Sequence, residues 1–137
     1  MLKKNDNRNE AGMTVRRKVL GNAHVERAEK TRTAFDDPFQ ELIIEAAWGR
    51  VWARADWTLA QRSCITLALL AAGGHWEEFE MHLRATRNTG ATPEDVRETL
   101  LHVAIYSGVP TANHAFQIAK KVLASMEKAE PGKEQRK

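Results

Sequence analysis

The chain has 137 residues, 42% of them hydrophobic and 28% charged, which is typical of one globular domain with a sizeable core. The net charge of +3 lies partly near the two ends, so it does not support a nucleic-acid interface. The single cysteine, Cys64, excludes an internal disulfide, and the opening stretch MLKKNDNRNE lacks the apolar core of a signal peptide. We therefore expect a soluble cytoplasmic protein that neither binds nucleic acid nor inserts into a membrane.

Helical signals begin after a polar opening segment. Residues 1–9 are predicted to form a disordered tail because they contain too little apolar surface to pack. A short helix is predicted over residues 10–20, ending at Gly21, and a second over residues 24–30. No segment shows the alternating pattern of a β-strand.

The next helix has a sharper start signal. Asp37 precedes Pro38, the pattern of an N-cap residue followed by a proline in the first turn. Apolar residues at helical spacing then predict a helix over residues 38–54. Trp48 and Trp52 are four residues apart on it and are expected to form an aromatic ridge.

The middle of the chain contains the longest apolar run. A capping box from Thr58 to Gln61 opens a helix that continues to about residue 72. This helix is apolar nearly all round, as expected for a helix buried inside a domain. The glycine pair at 73–74 ends it, and another helix follows as far as residue 88.

Two further helices complete the predicted architecture. Thr92 before Pro93 is again an N-cap followed by a first-turn proline, and a last amphipathic helix covers residues 111–128. Residues 129–137 are predicted to be a disordered, charged tail. The expected fold is all-α, a single domain of about six helices over residues 10–128.

The strongest chemical signal is a helix on which His75, Glu78 and His82 share one face. A carboxylate four residues before an imidazole favours the charged ring, so His82 is a candidate proton donor with Glu78 as its partner. The alternative is a histidine that merely hydrogen-bonds to a neighbour. A metal site is a weaker alternative, because HxxExxxH matches no recognised ligand pattern.

Arg62 opens the otherwise apolar helix, where a charged side chain needs a partner. One interpretation is an internal salt bridge to Glu41, Glu45 or Glu78. The other is a fork for a substrate carboxylate, which a guanidinium binds through two parallel hydrogen bonds. The sequence leaves both open.

Aromatic residues and the cysteine have structural and functional interpretations. Trp48, Trp52 and Trp76 are more often core residues, although such side chains also line small-ligand pockets. Cys64 lies in the apolar run and is predicted to be a buried, inert thiol.

Four segments, taken together, resemble the carboxymuconolactone decarboxylase family: GMTVRRKVLG, FQELIIEAAWGRVW, HLRATRNTG and LLHVAIYSGVPTANHAF. The resemblance covers about residues 10–126. It implies the all-α fold shared with alkyl hydroperoxidase D-like proteins, and a homo-oligomer built from trimers into a hexameric ring. It also implies cofactor-free decarboxylation of 4-carboxymuconolactone to an enol-lactone in protocatechuate breakdown.

The resemblance assigns the family histidine to His82. Redox relatives carry CxxCxxxH, and the two cysteine positions here hold His75 and Glu78, so a dithiol peroxidase is not supported. The predicted catalytic residues are His82, Glu78 and Arg62. The predicted substrate-binding residues are Arg62, His75, Trp48 and Trp76, with no metal or cofactor. Alternatives are a hydroperoxidase-like protein, a non-catalytic helical binding module, and a decarboxylase of a related lactone or β-keto acid.

Overall fold

The protein, represented by a computed structural model that describes residues 3–129, is helical throughout that part of the chain. Its elements are α1 Lys3–Leu20, α2 Asn22–Thr31, α3 Asp37–Ile43, a π-helical segment Ile44–Trp52, α4 Leu59–Gly73, α5 Trp76–Thr89, α6 Pro93–Tyr106 and α7 Val109–Lys128. The all-α prediction is confirmed, with seven α-helices and one π-helical segment over residues 3–129 where about six helices were expected. None of the helices within this range combines the length and apolar character needed to cross a membrane.

The first helix is longer than the sequence predicted. It begins at Lys3, so the part of the expected tail over residues 3–9 is helical, while residues 130–137 of the other expected tail lie outside the described range. Packing explains the difference, because a Cβ atom on Gly49 would lie 2.5 Å from the backbone oxygen of Arg8. This contact stabilises a polar segment whose composition alone does not predict a helix.

The helix predicted over residues 38–54 consists of two parts. α3 gives way at Ile44 to wider π turns, a form that periodicity of apolar residues does not reveal. Asp36, and not Asp37, occupies the N-cap position, and its carboxylate accepts hydrogen bonds from the backbone N–H and hydroxyl of Thr33 at 2.7 and 3.1 Å. Pro38 lies in the first turn, as predicted.

The described chain divides into two compact units. The first contains the residues up to Arg62 together with 88–90, and the second contains residues 63–87 together with 91 onward. In the first unit, α1 packs on the π-helical segment through facing glycines. A side chain on Gly12 would clash with the carbonyl oxygen of Ile44 and approach the nitrogen of Gly49 to 2.9 Å.

The second unit has the larger apolar core. Its buried cluster draws on α4, α5, α6 and α7, with Leu67, Phe79, Leu83, Leu100 and Val122 among its members. The start of α6 is held by the predicted N-cap and its reciprocal hydrogen bonds between Thr92 and Asp95, at 2.9 and 3.1 Å.

Two side-chain contacts join α5 and α7 within this unit. The ring of Trp76 meets that of His114, and Nη1 of Arg84 donates to Oγ of Ser125 at 3.3 Å. The first contact lies at the start of α5, and the second lies about two turns further along it.

Helix α4 is less completely buried than predicted. Ile65 and Leu69 are 47% and 67% exposed, although other residues of the same helix, such as Leu67 and Ala71, are fully buried. The exposed residues are spaced four apart and lie on one stripe of the helix. Helix α4 is apolar nearly all round, so the side of it that is exposed in a single chain is an apolar surface.

Candidate active site

The predicted site residues come from both units. Trp48 and Arg62 belong to the first, and the others belong to the second, where they are found at the start of α5 or within it. Those others are His75, Trp76, Glu78 and His82.

His82 is a buried residue of α5. It is 6% exposed, and it lies one helical turn after Phe79, which is fully buried in the apolar core. Because the His82 side chain is buried, bulk water does not surround its ring. The neighbouring residues also restrict the ring more than they would restrict that of an exposed histidine. This environment suits a group that delivers a single proton.

Glu78 lies on the same helix one turn before His82, but it is exposed to solvent. Among residues 3–129 the structure gives it no hydrogen-bond or ion-pair partner. Water and salt screen an exposed carboxylate, which weakens its influence on a buried neighbour. The pairing of Glu78 with His82 therefore remains a prediction.

His75 is held by the glycine turn that precedes α5. Its backbone N–H donates to the carbonyl of Leu70 at 2.9 Å, and its own carbonyl accepts from Phe79, also at 2.9 Å. The imidazole folds back over Gly73, where an added Cβ atom would lie 2.7 Å from Cδ2 of the ring. His75 is exposed and precedes His82 by seven residues, about 10 Å along the helix axis.

Arg62 lies in the first turn of α4. The predicted capping box holds this turn, with hydrogen bonds of 2.9 and 3.1 Å between Thr58 and Gln61, and the backbone N–H of Arg62 donates to the carbonyl of Thr58 at 3.1 Å. The Arg62 side chain is 9% exposed, and its Nη2 donates to the carbonyl of Arg54 at 2.9 Å. Its buried Nε has no hydrogen-bond acceptor among the residues that the structure describes.

The salt-bridge interpretation of Arg62 is wrong for this part of the chain. Glu41 lies 4.0 Å from Arg32, and Glu45 lies 3.1 Å from Arg50. Glu78, the third proposed partner, is exposed. Over residues 3–129 no carboxylate lies within ion-pair distance of Arg62, whose side chain donates to a backbone carbonyl.

The tryptophans differ in their surroundings. Trp48 is 5% exposed, and its ring centroid lies 5.1 Å from that of Trp52, which confirms the aromatic ridge. Trp76 is half-buried and meets Phe79 edge-to-face at 5.7 Å. A half-buried indole can contact a ligand without leaving the core, whereas Trp48 is more enclosed.

One residue of this region is not singled out by the sequence pattern. The ring centroid of His114 in α7 lies 4.5 Å from that of Trp76, at an interplanar angle of 75°. Its signal was present in the segment TANHAF, where Ala112 and Ala115 are buried and the histidine between them is exposed. Periodicity alone did not reveal which helix this exposed ring would meet.

The HxxExxxH residues and Cys64 are the remaining groups that the sequence singled out. Within the described range, no three His, Cys, Asp or Glu side chains are arranged to hold a metal ion. Cys64 is half-buried, and not fully buried as predicted.

Comparison with known proteins gives a consistent family. The chain matches the model of the "Carboxymuconolactone decarboxylase family" over residues 37–121. It is 38% identical over 121 residues, or 88% of this chain and 90% of the other, to a 4-carboxymuconolactone decarboxylase of Acinetobacter baylyi. It is also 41% identical over 115 residues, 84% of this chain and 80% of the other, to a nitrosuccinic acid decarboxylase of Metarhizium robertsii. A 4-carboxymuconolactone decarboxylase sequence of Pseudomonas putida is 50% identical over 42 residues, 31% of this chain and 88% of the other. The chain belongs to the carboxymuconolactone decarboxylase family.

Proposed function

We propose that this protein decarboxylates 4-carboxymuconolactone to the corresponding enol-lactone, a step in the breakdown of protocatechuate by the β-ketoadipate route. The observation that carries the proposal is the 38% identity, over most of both chains, to an enzyme of that name. The relatives named decarboxylases make the chain a carboxy-lyase. The particular lactone is the part that we propose.

The chemistry of this substrate limits what the protein must supply. One carboxylate of the lactone is attached to a ring carbon, and a carbon–carbon double bond lies between this ring carbon and the lactone carbonyl. When CO2 leaves, the electrons of the broken carbon–carbon bond move through the double bond onto the carbonyl oxygen. A proton then adds to the carbon beside that carbonyl and gives the enol-lactone. Because the substrate is its own electron sink, we propose a reaction without a cofactor.

Arg62 is the residue that we assign to substrate charge. The substrate is a dianion, and a buried guanidinium that lacks a carboxylate partner can bind one of its carboxylates or the developing oxyanion. The Nε proton is one donor that has no acceptor among the described residues, while Nη2 donates to the carbonyl of Arg54. This arrangement orients the fork before the ligand arrives.

His82 is the residue that we assign to proton delivery. Its burial supports the role, because a buried imidazole does not exchange its proton freely with bulk water. Glu78 is assigned to holding the charged form, and His75 to binding the end of the substrate away from His82. Trp48 and Trp76 are assigned to shielding the leaving carboxylate from water.

A second candidate substrate is nitrosuccinic acid, on which the Metarhizium relative is named as acting. This compound is also a dicarboxylate, and its nitro group can accept the electrons of the broken bond as the lactone carbonyl does. The two substrates share two carboxylates and an internal electron sink. A panel of both compounds and a β-keto acid separates the possibilities by kcat/KM.

Two functions outside decarboxylation have less support. A hydroperoxidase-like reaction by the redox motif needs two cysteines, and this sequence has only Cys64. A non-catalytic binding module would bind a dicarboxylate without releasing CO2. Incubation of the purified protein with 4-carboxymuconolactone distinguishes such a module from an enzyme.

We further propose that the protein is a cytoplasmic homo-oligomer, with trimers forming a hexameric ring. Exposed apolar side chains four residues apart on α4 and α6 support association. They are Ile65 and Leu69, and Leu101 and Ile105. Light scattering measures the subunit number directly, and a monomer at micromolar concentration would contradict the proposal.

The proton-donor role is tested by His82→Ala. We expect enol-lactone formation, followed optically, to slow by about 100- to 10,000-fold. His102→Ala removes an exposed histidine stacked on Tyr106 in α6 and serves as the matched control. Activity of His82→Ala within a few-fold of the parent would remove His82 from proton delivery.

A further inference from the structure

The indole of Trp76 is held between two rings. Phe79, one turn further along α5, meets it at 5.7 Å and 88°, and His114 of α7 meets it at 4.5 Å and 75°. Phe79 is fully buried, whereas His114 is exposed. The indole is therefore fixed on its core side by an apolar ring and on another side by the exposed imidazole of α7.

The same turn holds the neighbouring imidazole. His75 lies over Gly73, and Nε1 of Trp76 comes within 4.0 Å of the position that a Cβ atom on Gly74 would occupy. Both aromatic side chains thus fold back onto the glycine pair. The position of the indole beside His75 depends on what holds it from outside α5, and His114 supplies such a contact.

We propose that His114 is a positioning residue of the candidate site: its imidazole holds the indole of Trp76 in place as the apolar wall beside His75. This inference rests on the proposed function, because Trp76 is assigned there to contact the substrate. The edge-to-face geometry is the one that aromatic rings favour, so the contact restricts the indole to one orientation. His114 acts through Trp76 and need not touch the substrate.

A spectroscopic experiment tests the contact without using activity. The emission of Trp76, taken as the difference between the parent and Trp76→Phe, depends on the surroundings of the indole. His114→Ala removes the ring that meets the indole at 4.5 Å, so it should change this emission, whereas His114→Phe keeps an edge-to-face ring and should leave the emission close to that of the parent.

A histidine that does not contact Trp76 provides the control. His102 is exposed and stacks on Tyr106 in α6, so His102→Ala should leave the Trp76 emission unchanged.

Kinetics test the positioning role. His114→Ala frees the indole and should raise KM for the lactone by about 2- to 12-fold, the factor by which one aromatic pair shifts an equilibrium, with little change in kcat. His114→Phe should restore most of the parent KM, because it replaces the ring contact.

The outcomes separate this inference from the proposed function. A changed Trp76 emission and a raised KM in His114→Ala, both largely restored in His114→Phe, support the positioning role. An unchanged Trp76 emission or an unchanged KM in a folded His114→Ala protein overturns it. If the parent chain does not decarboxylate the lactone, the proposed function fails, and the fluorescence experiment still decides whether His114 holds Trp76.

Discussion

Two buried arginines in the first unit have different partners. Arg16 in α1 is 7% exposed, and its Nη1 lies 3.3 Å from Oε1 of Glu29. The other carboxylate oxygen of Glu29, Oε2, lies 3.4 Å from Nη1 of Arg32. Arg62 in the first turn of α4 is 9% exposed, and it donates to a backbone carbonyl with no carboxylate in reach over residues 3–129. The comparison distinguishes a guanidinium paired with a carboxylate from one that has only a neutral acceptor among the described residues.

The physical reason is the cost of burying a charge. Removing a guanidinium from water is unfavourable, and a nearby carboxylate offsets that cost. Arg16 has this compensation within its own unit, but Arg62 has only a neutral acceptor. A substrate carboxylate would supply the missing negative charge, so binding of the substrate would also offset the cost of burying Arg62.

Of the two arginines, Arg62 is expected to have the larger effect on catalysis, measured with Arg62→Met. Removing one member of a buried charge pair costs about 2–5 kcal/mol, so kcat/KM should fall by roughly 30-fold or more. Arg16→Met is the matched control and should stay within a few-fold of the parent when activity is expressed per folded protein. Equal losses in both variants would erase the distinction between the two arginines.

Stability should respond in the opposite order. Arg16→Met deprives Glu29 of one partner and should lower the free energy of unfolding by about 1–3 kcal/mol. Arg62→Met leaves no carboxylate unpaired among the described residues and should be neutral or stabilising by about 1 kcal/mol. Urea denaturation of both variants measures the difference. Greater destabilisation by Arg62→Met would show that Arg62 is the structural arginine.

A smaller effect is expected from the turn that holds Arg62. Thr58→Ala removes the hydroxyl that accepts from the backbone of Gln61 at 3.1 Å. The loss of an N-cap costs about 1 kcal/mol, and the loosened first turn should also raise KM for the lactone. Thr33→Ala, away from α4, is the comparison variant and should leave KM unchanged. A Thr58→Ala protein with the parent KM would mean that the cap does not position Arg62.

The smallest effect concerns pH and the surroundings of Arg16. Burial, then the charges of Arg27 and Arg16, lower the pKa of His24 below its ordinary value. The unfolded chain therefore binds this proton at a higher pH than the folded chain does, so stability should fall as the pH drops below about 6.5. His24→Gln should flatten this part of the stability curve. An unaltered slope in urea titrations at several pH values would contradict the assignment.

Local rules in the sequence predicted much of the helix pattern. The caps at Thr58 and Thr92 depend on residues three apart and were found where expected. The long α1 and the π-helical segment were missed because close approach of Gly12 and Gly49 involves residues far apart in the chain. Helical periodicity reports which face is apolar, but it does not report long-range packing.

The sequence predicted which residue types form the candidate site better than it predicted the burial and contacts of those residues. Spacing put Glu78 and His82 on one helix, but it could not show that one is exposed and the other buried. Likewise, the sequence left open whether Arg62 had a carboxylate partner. The contact of His114 with Trp76 joins two helices separated by α6, so no local pattern encodes it.

The most direct test follows the Nε–H of Arg62 by NMR while a saturated form of the lactone dicarboxylate is added. This compound lacks the ring double bond, so it can bind but cannot use the carbonyl as an electron sink. The Arg62 signal is assigned by its absence in Arg62→Lys. We predict a large downfield shift of this proton at saturation, because Nε gains a charged acceptor. Binding of the dicarboxylate with no change in the Arg62 signal would contradict the assignment of Arg62 to the substrate.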